Sequence, residues 1–349
     1  MGARDGAGGA MKEQPAARDR RFGRPSSSPA TGMEEVHLTR PGNILVVGSL
    51  NLDWVLRCRK IPRPGQTVHG NSLSEVPGGK GANQAVAAAR QGADVRMIGR
   101  VGDDPFGAKL REDLRREGVG SDAVYATPGA RSGLAVITVE DSGENAITVL
   151  AGANAQLKPA DVRRAESLFK EADLVMLQLE IPLDTVLAAI ELARGAARVL
   201  LDPAPAPGRF PPELLRVDIL CPNETEAAAL TGLPADTDEE AEVAARRLCE
   251  LGAGCVLLTR GARGVTVATQ VDGNVWSVPS PAVTAVDSTA AGDAFAGAFA
   301  ARLMWGDDLR GAVNHAVLAG AHAVTIPGAR DSLPTLADVE GLRRKAAVS

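Results

Sequence analysis

The chain has 349 residues, 45 % of them hydrophobic and 23 % charged, with a formal net charge of −5. This is the make-up of a globular protein able to bury a sizeable core, and the mild acidity excludes the global basic field that nucleic acid or an anionic membrane requires. No apolar run approaches the roughly 20 residues of a bilayer span; the best candidate, 294–304, is broken by Arg302 and reads as a core helix. The four cysteines (Cys58, Cys221, Cys249, Cys255) lack metal-ligand spacing and read as buried thiols of a reducing cytoplasm. His37, His69, His315 and His322 are dispersed, and GxSxG and HExxH are absent, so hydrolase chemistry finds no support.

Residues 1–42 are rich in Gly, Ala, Arg, Pro and Ser and hold no apolar h-region, which points to a disordered extension rather than a secretory signal. Arg18, Arg20, Arg21 and Arg24 with Ser26–Ser28 have a transit-peptide flavour, which Asp5, Glu13 and Asp19 oppose. The folded domain is expected over 43–345. It opens with an apolar run at 43–48 that ends in glycine, the mark of a buried strand. Helical spacing follows at 81–91, 105–117, 158–171, 183–194, 237–251, 290–305 and 308–325. Between these helices, strands are expected at 95–98, 174–177, 198–201, 218–220 and 256–259. Such alternation implies right-handed βαβ units and a mainly parallel sheet. Segments 51–76 and 132–150 break the rhythm; the second reads as a hairpin turning at Asp141-Ser142-Gly143, and inserted β-segments of this kind commonly form a lid.

Polar residues gather at strand ends, where open α/β sheets place ligands. Asn51 and Asp53 follow the first strand; they suit a sugar hydroxyl, and equally a plain Asx turn. In PGGKGANQA (77–85) the glycines permit close backbone approach, and Lys80 and Asn83 can bond a polyhydroxylated ligand, although neither GxxxxGK[ST] nor GxGxxG occurs. Asn223 and Glu226 in NETE fit either a capping box or a group holding water around Mg2+. Thr259–Gly264 (TRGARG) fits a nucleotide edge or an ordinary turn. AVDSTAAGDAF (285–295) runs small residues into a helix start, a place that favours anions, yet sets the carboxylate of Asp293 there.

These motifs in this order resemble the ribokinase-like (PfkB) carbohydrate and nucleoside kinase family: NLD at 51–53, GGKGANQA at 78–85, AGAN at 151–154, QLE at 178–180, PAPA at 203–206, PNETEA at 222–227 and AVDSTAAGDAF. The resemblance covers 43–335 and implies a three-layer α/β/α sandwich with a mainly parallel central sheet and a small β-sheet lid. It implies ATP-dependent phosphorylation of D-ribose at O5 in the cytoplasm, with deoxyribose or another sugar or nucleoside as the alternative acceptor. By the same resemblance Asp293 is the catalytic base and Ala290, Ala291 and Gly292 form the anion hole. Asn51, Asp53, Gly79, Lys80, Gly81, Asn83 and Glu180 hold the sugar. Asp202, Asn223, Thr259, Arg260, Gly261, Ala262, Arg263, Gly264, Gly292 and Val317 lie along the ATP. Asn223 and Glu226 organise Mg2+ indirectly. Asp287, Thr289, Ala323, Ile326, Gly328 and Ser332 match an activating K+ site. A homodimer through the lid is implied, with no nucleic-acid or membrane partner. Two positions depart from the family pattern: Asp202 stands where Asn is frequent, and Val317 where His or Asn is.

Overall fold

The computed structural model describes residues 41–206, 208 and 210–346, so the expectations for residues 1–40 lie outside it. The first half of the chain contains β1 (Asn43–Val47), β2 (Asn51–Cys58), β3 (Gly70–Gly78), α1 (Lys80–Arg90), β4 (Asp94–Gly102), α2 (Pro105–Arg116), β5 (Gly120–Thr127), β6 (Gly133–Glu140) and β7 (Asn145–Leu150). Next come α3 (Pro159–Arg164), α4 (Glu166–Glu171), β8 (Leu174–Leu177), α5 (Leu183–Ala193), β9 (Arg198–Leu201), β10 (Ile219–Leu220) and α6 (Glu224–Thr231). The last third holds α7 (Asp238–Leu251), β11 (Cys255–Thr259), β12 (Val265–Thr269), β13 (Val275–Val278), α8 (Ala291–Met304), α9 (Leu309–Ala323), α10 (Ala329–Ser332) and α11 (Leu336–Ala346).

A nine-stranded sheet runs in the order β13-β12-β11-β10-β9-β8-β1-β4-β5. It is parallel from β11 to β5, and β12 and β13 add antiparallel at one edge. The central strands are apolar on both faces because helices cover both. Leu45, Val47, Val175, Leu177, Val199 and Leu201 join Val162 of α3, Phe169 of α4, Ile190 of α5 and Leu248 of α7 in one core. The alternate residues Ile44 and Val46 point to the opposite face, where α1 and α8 pack on β1. The chain is thus an α/β fold with a mainly parallel sheet between helix layers.

A second, four-stranded sheet (β3-β2-β6-β7) is built from the two segments that broke the sequence rhythm. Its β6–β7 hairpin pairs Val139 with Asn145 and turns through Gly143 at φ 90°. Edge-to-face contact of Trp54 with Phe106, centroids 6.2 Å apart, seats this sheet on the start of α2.

Two local expectations are revised. The helix expected over 158–171 is two, parted at Ala165, because the halves have separate anchors: Arg100 grips Asp161 through two bonds of 2.7 and 2.8 Å, whereas Phe169 drops into the core. The strand expected at 218–220 keeps only two residues, since the Asp218 carboxylate accepts the Val199 amide at 2.8 Å. The β12–β13 hairpin and helices α10 and α11 were not anticipated. Among the described residues no helix is long and apolar enough to cross a membrane, and the four cysteines are buried and free.

Candidate active site

The sheet changes winding direction between β1, which leads on to β4, and β8, which leads on to β9. Ligands of open α/β sheets collect at the carboxyl ends of strands at such a switch. Here those ends deliver Ser49 and Asn51 after β1 and Glu180 after β8. The start of α1 is forced against the first of them: a Cβ at Gly81 would stand 2.8 Å from the Gly48 Cα, and one at Gly79 2.8 Å from the Asn51 amide nitrogen. Gly79 also sits at φ 89°, open to glycine at little cost. The Ala82 amide donates to the Ser49 carbonyl at 2.9 Å and the Asn83 amide to the Gly79 carbonyl at 2.8 Å. The glycines of PGGKGANQA therefore serve the close approach that their spacing suggests.

Beside these glycines, Glu180 accepts the Ser49 hydroxyl at 2.5 Å and the Lys80 amide at 3.0 Å through one oxygen. Asn154, from the AGAN segment, brackets Leu50 with bonds of 3.0 Å to its amide and carbonyl and donates to Asn51 Oδ1 at 2.8 Å. Asp53 lies against Gly78, buried, with Oδ1 unpartnered. Burial, then Glu180 and Asp293, push its carboxyl up to about 7, against the opposing pull of Arg330.

Asp293 is buried in the first turn of α8, where Asn83 Nδ2 donates to one carboxylate oxygen and Gln84 Nε2 to the other, both at 3.1 Å. The same Gln84 nitrogen donates to Asp202 at 2.7 Å, and Gln178 in turn donates to Gln84 Oε1 at 2.6 Å. Lys80 Nζ stands 3.7 Å from Asp202. The Lys80 ammonium is thus the cation paired with the buried Asp202 carboxylate. Burial, opposed by Lys80, places the Asp202 carboxyl at about 7, while Asp202 chiefly holds the Lys80 ammonium above the usual lysine range.

At the α8 N-terminus Ala290 adopts φ 60°, and the first helical bond runs from the Ala294 amide to the Ala290 carbonyl at 2.8 Å. The Ala291 amide closes a long turn onto the Ser288 carbonyl at 3.3 Å. The Gly292 amide precedes the first helical bond and is left for an anion. Ala290, Gly292 and Asp293 line a cleft of about 250 Å3 together with Lys80, Asp202, Asn223, Glu226 and Thr259.

Asn223 and Glu226 form a reciprocal capping box, with both bonds at 2.8 Å, and still border the cleft. Both readings of NETE thus apply to one structure. Burial raises the Glu226 pKa, and the Asn223 amide and Lys80 partly offset it. Thr259 joins this edge through its amide, which donates to the Pro222 carbonyl at 2.9 Å. The two arginines of TRGARG do not line the cleft. Arg260 is buried against Asp238 at 2.6 Å and Glu224 at 3.4 Å, and Arg263 bonds Glu224 and the Asp236 carbonyl. Acidic helix starts capture both guanidiniums and turn them into struts. Gly261, Ala262, Gly264 and Val317 also lie outside the residues that line the cleft, Val317 being buried in α9.

Asp287 draws two distant segments together. Its Oδ1 accepts the Thr289 amide at 2.9 Å and hydroxyl at 2.6 Å, and its Oδ2 the Gly328 amide at 2.8 Å. Burial works to raise its pKa, but these bonds prevail and lower it, so the carboxylate stays ionised. Ala323 and Ile326 share a turn at 3.2 Å, and the Ser332 hydroxyl donates to the Ala329 carbonyl at 2.9 Å. One carboxylate among backbone oxygens suits a hard monovalent cation. Among the described residues no cluster of three or more His, Cys, Asp or Glu is arranged for a metal.

The pfkB family carbohydrate kinase model matches residues 42–336. The chain belongs to the pfkB family of carbohydrate kinases. It is 40 % identical over 296 residues to the bifunctional ribokinase/ribose-5-phosphate isomerase A of Fructilactobacillus sanfranciscensis, covering 84 % of this chain and about half (54 %) of that protein. It is 38 % identical to the deoxyribokinase of Salmonella typhi, over 84 % of this chain and 96 % of that one. The ribokinase of Arabidopsis thaliana, solved with ribose and ATP, superposes with a TM-score of 0.81 at 31 % identity, over 86 % of this chain and 98 % of that one. This pfkB chain is therefore a ribokinase-family sugar kinase of an ATP-using family.

The residues that sequence reasoning missed are supports. Gln84 and Gln178 sat inside quoted motifs but had no role, Ser49 had none, and Asn154 was quoted only as part of AGAN. Their signal was proximity to motifs; their partners come from other elements.

Proposed function

We propose that the protein transfers the γ-phosphoryl group of ATP to O5 of D-ribose in the cytoplasm. The supporting observation is that Asp293, the unpaired amide of Gly292 and Lys80 converge on one cleft. Asp293, oriented by Asn83 and Gln84, takes the proton from the ribose 5-hydroxyl as O5 bonds to the γ-phosphorus. The bond from that phosphorus to the β–γ bridging oxygen breaks, and ADP leaves. The unpaired amide of Gly292, with Ala290 and Ala291 beside it in the same turn, meets the charge that develops on the transferring group. Asn51, Asp53, Gly79, Lys80, Gly81, Asn83 and Glu180 hold the sugar, and the four-stranded sheet acts as a lid that excludes water from the transfer.

Magnesium ion, when bound with the nucleotide, would supply neutralisation of phosphate charge, and Asn223 and Glu226 are the residues that would hold it, through water. Both residues spend an oxygen on their mutual cap, which suits contact through water. Potassium ion fits the oxygens of Asp287, Thr289, Ala323, Ile326, Gly328 and Ser332, next to the anion hole. Thr259 and the 260–264 backbone edge the nucleotide, with Asp202 nearby and Val317 beyond. The alternative acceptor, 2-deoxyribose, is favoured by the similarity to the Salmonella typhi protein. Against it stands Asn51: a site that pairs with a substrate hydroxyl discriminates strongly against the analogue that lacks it.

A phosphorylation assay over ribose, 2-deoxyribose, fructose and adenosine, with and without K+, tests this. Ribose turnover that K+ enhances is the expected result; preferential use of another acceptor overturns the ribose assignment. Asp293→Asn is expected to keep ribose affinity within a few-fold and to lose turnover by several orders of magnitude.

A further inference from the structure

Two buried asparagines meet where the chain passes between the large sheet and the small one. Asn51 opens β2 and is 4 % exposed; Asn154 lies in the turn Gly152–Gln156 that follows β7 and is 2 % exposed. The backbone of Asn154 is held on both sides, its amide donating to the Ala151 carbonyl at 3.0 Å and its carbonyl accepting the Leu157 amide at 3.2 Å. Its side chain can sit only one way round. The Leu50 amide must meet an oxygen and the Leu50 carbonyl an N–H, and both contacts are 3.0 Å long. Asn154 Oδ1 is thereby set on the Leu50 amide and Nδ2 on the carbonyl, which leaves the second Nδ2 hydrogen for Asn51, 2.8 Å away. A donor demands an acceptor, so the Asn51 atom at that contact is Oδ1. The same oxygen is covered by the lid strand: a Cβ on Gly133, which pairs with Asn51, would stand 2.2 Å from Asn51 Oδ1 and 2.3 Å from Asn154 Nδ2.

We infer that Asn154 is a positioning residue that fixes the side-chain amide of Asn51, so that Asn51 meets the sugar as a hydrogen-bond donor. The inference rests on the reading of Asn51 as a sugar-binding residue. A carboxamide free to turn over offers an oxygen or an N–H at nearly the same place, and so admits a hydroxyl in either orientation. Held by Asn154 and closed over by Gly133, Oδ1 is spent, and Nδ2 is the end left for a ligand. The sugar oxygen that meets it must then accept, with its own hydrogen turned away from Asn51. A carbon bearing only hydrogen, or a protonated amine, has no lone pair to offer there and is refused. A staple for the crossing between the sheets needs only the two bonds to Leu50. The third bond runs to a side chain instead of the backbone, and the orientation of that side chain is what it determines.

The test is a double-mutant cycle on the full chain, with the ribose dissociation constant measured by calorimetry for wild type, Asn154→Asp, Asn51→Ala and the double variant. Aspartate in place of Asn154 still accepts the Leu50 amide but has no hydrogen for Asn51, which then turns its own Nδ2 to the carboxylate and its oxygen to the sugar. Asn154→Asp is expected to weaken ribose binding about tenfold. In the Asn51→Ala background the same substitution is expected to change binding by less than about twofold. An equal loss in both backgrounds overturns the inference, because an effect of charge or of the hinge acts whether or not the Asn51 amide is present. Unchanged ribose binding in Asn154→Asp alone overturns it too, and so does a matching rise in the KM for ATP. Should Asn154→Asp fail to fold, the cycle is run with Asn154→Ser, whose hydroxyl is one bond shorter and leaves Asn51 Oδ1 without its donor; the same non-additivity decides. An Asn51→Ala variant that binds ribose as tightly as wild type refutes the sugar-site reading of Asn51, and the inference with it. Weaker binding there, with an additive loss at Asn154, removes the inference alone.

Discussion

At the scale of single residues, the site is a set of carboxylates kept apart in role by their neighbours. Asp202 and Asp293 share one donor, Gln84 Nε2, so each constrains the other through an amide that titrates with neither. Asp202 has a folded pKa of about 7 against an ordinary 3.8. A raised acid pKa contributes stability below the ordinary value and loses it as pH rises through the folded one. Wild type should therefore lose stability from this group between pH 4 and 7 and no more above it. Asp202→Asn keeps an acceptor for Gln84 and removes the buried charge. Its Tm relative to wild type is expected to climb by a few °C from pH 5 to pH 8 in thermal melts; a difference flat with pH counts against the assignment.

At the scale of elements, α1 and α8 bring Asn83 and Gln84 to Asp293 because they cross without side-chain bulk. A Cβ on Gly297 would come within 2.5 Å of Ala87 Cβ and 2.8 Å of the Gln84 carbonyl. Gly297→Val must lift α8 away from α1. Overpacking of this kind costs about 1–3 kcal/mol, and it shifts Asp293 relative to Asn83 and Gln84. Calorimetry is expected to show the lower Tm, and kinetics a larger loss in kcat than in KM. Gly292→Ala, where a Cβ meets nothing within 4 Å, is expected to leave the Tm near wild type.

At the scale of the whole molecule, the four-stranded sheet is the feature that asks for a partner. Ile147 and Val149 are each 54 % exposed. Register carries Val149 across Ala135 to Asp53, so these apolar residues share the face of the sugar-side carboxylate. Strand β7 is also an edge, which leaves backbone groups to pair. A second copy covering this face would bury the apolar residues and close the pocket together. Light scattering is expected to give a dimer mass, reduced to the monomer by Ile147→Glu with Val149→Glu; a wild-type monomer overturns the dimer.

Much of this was legible in the order of residues alone. Apolar runs ending in glycine or small polar residues marked β1, β8, β9 and β11, because a strand buried on both faces needs continuous apolar side chains. The PGGKGANQA glycines marked a close approach, because only they admit a backbone at 2.8 Å. The place of Asp293 in the first turn of a helix was legible from the small residues before it, whereas its role came only from the resemblance. What the chain order could not decide were pairings between elements far apart in sequence. Gln84 became the bridge between Asp202 and Asp293 only once α1 crossed α8. Arg260 looked free beside its glycines until Glu224 and Asp238, on two other helices, drew it inward. Arg330 gained the Ala82 carbonyl and the Asp113 carboxylate as partners from 248 and 217 positions away along the chain. Local spacing sets which backbone shapes are affordable; the partners of a buried charge depend on how the layers close, and only the tertiary structure settles that.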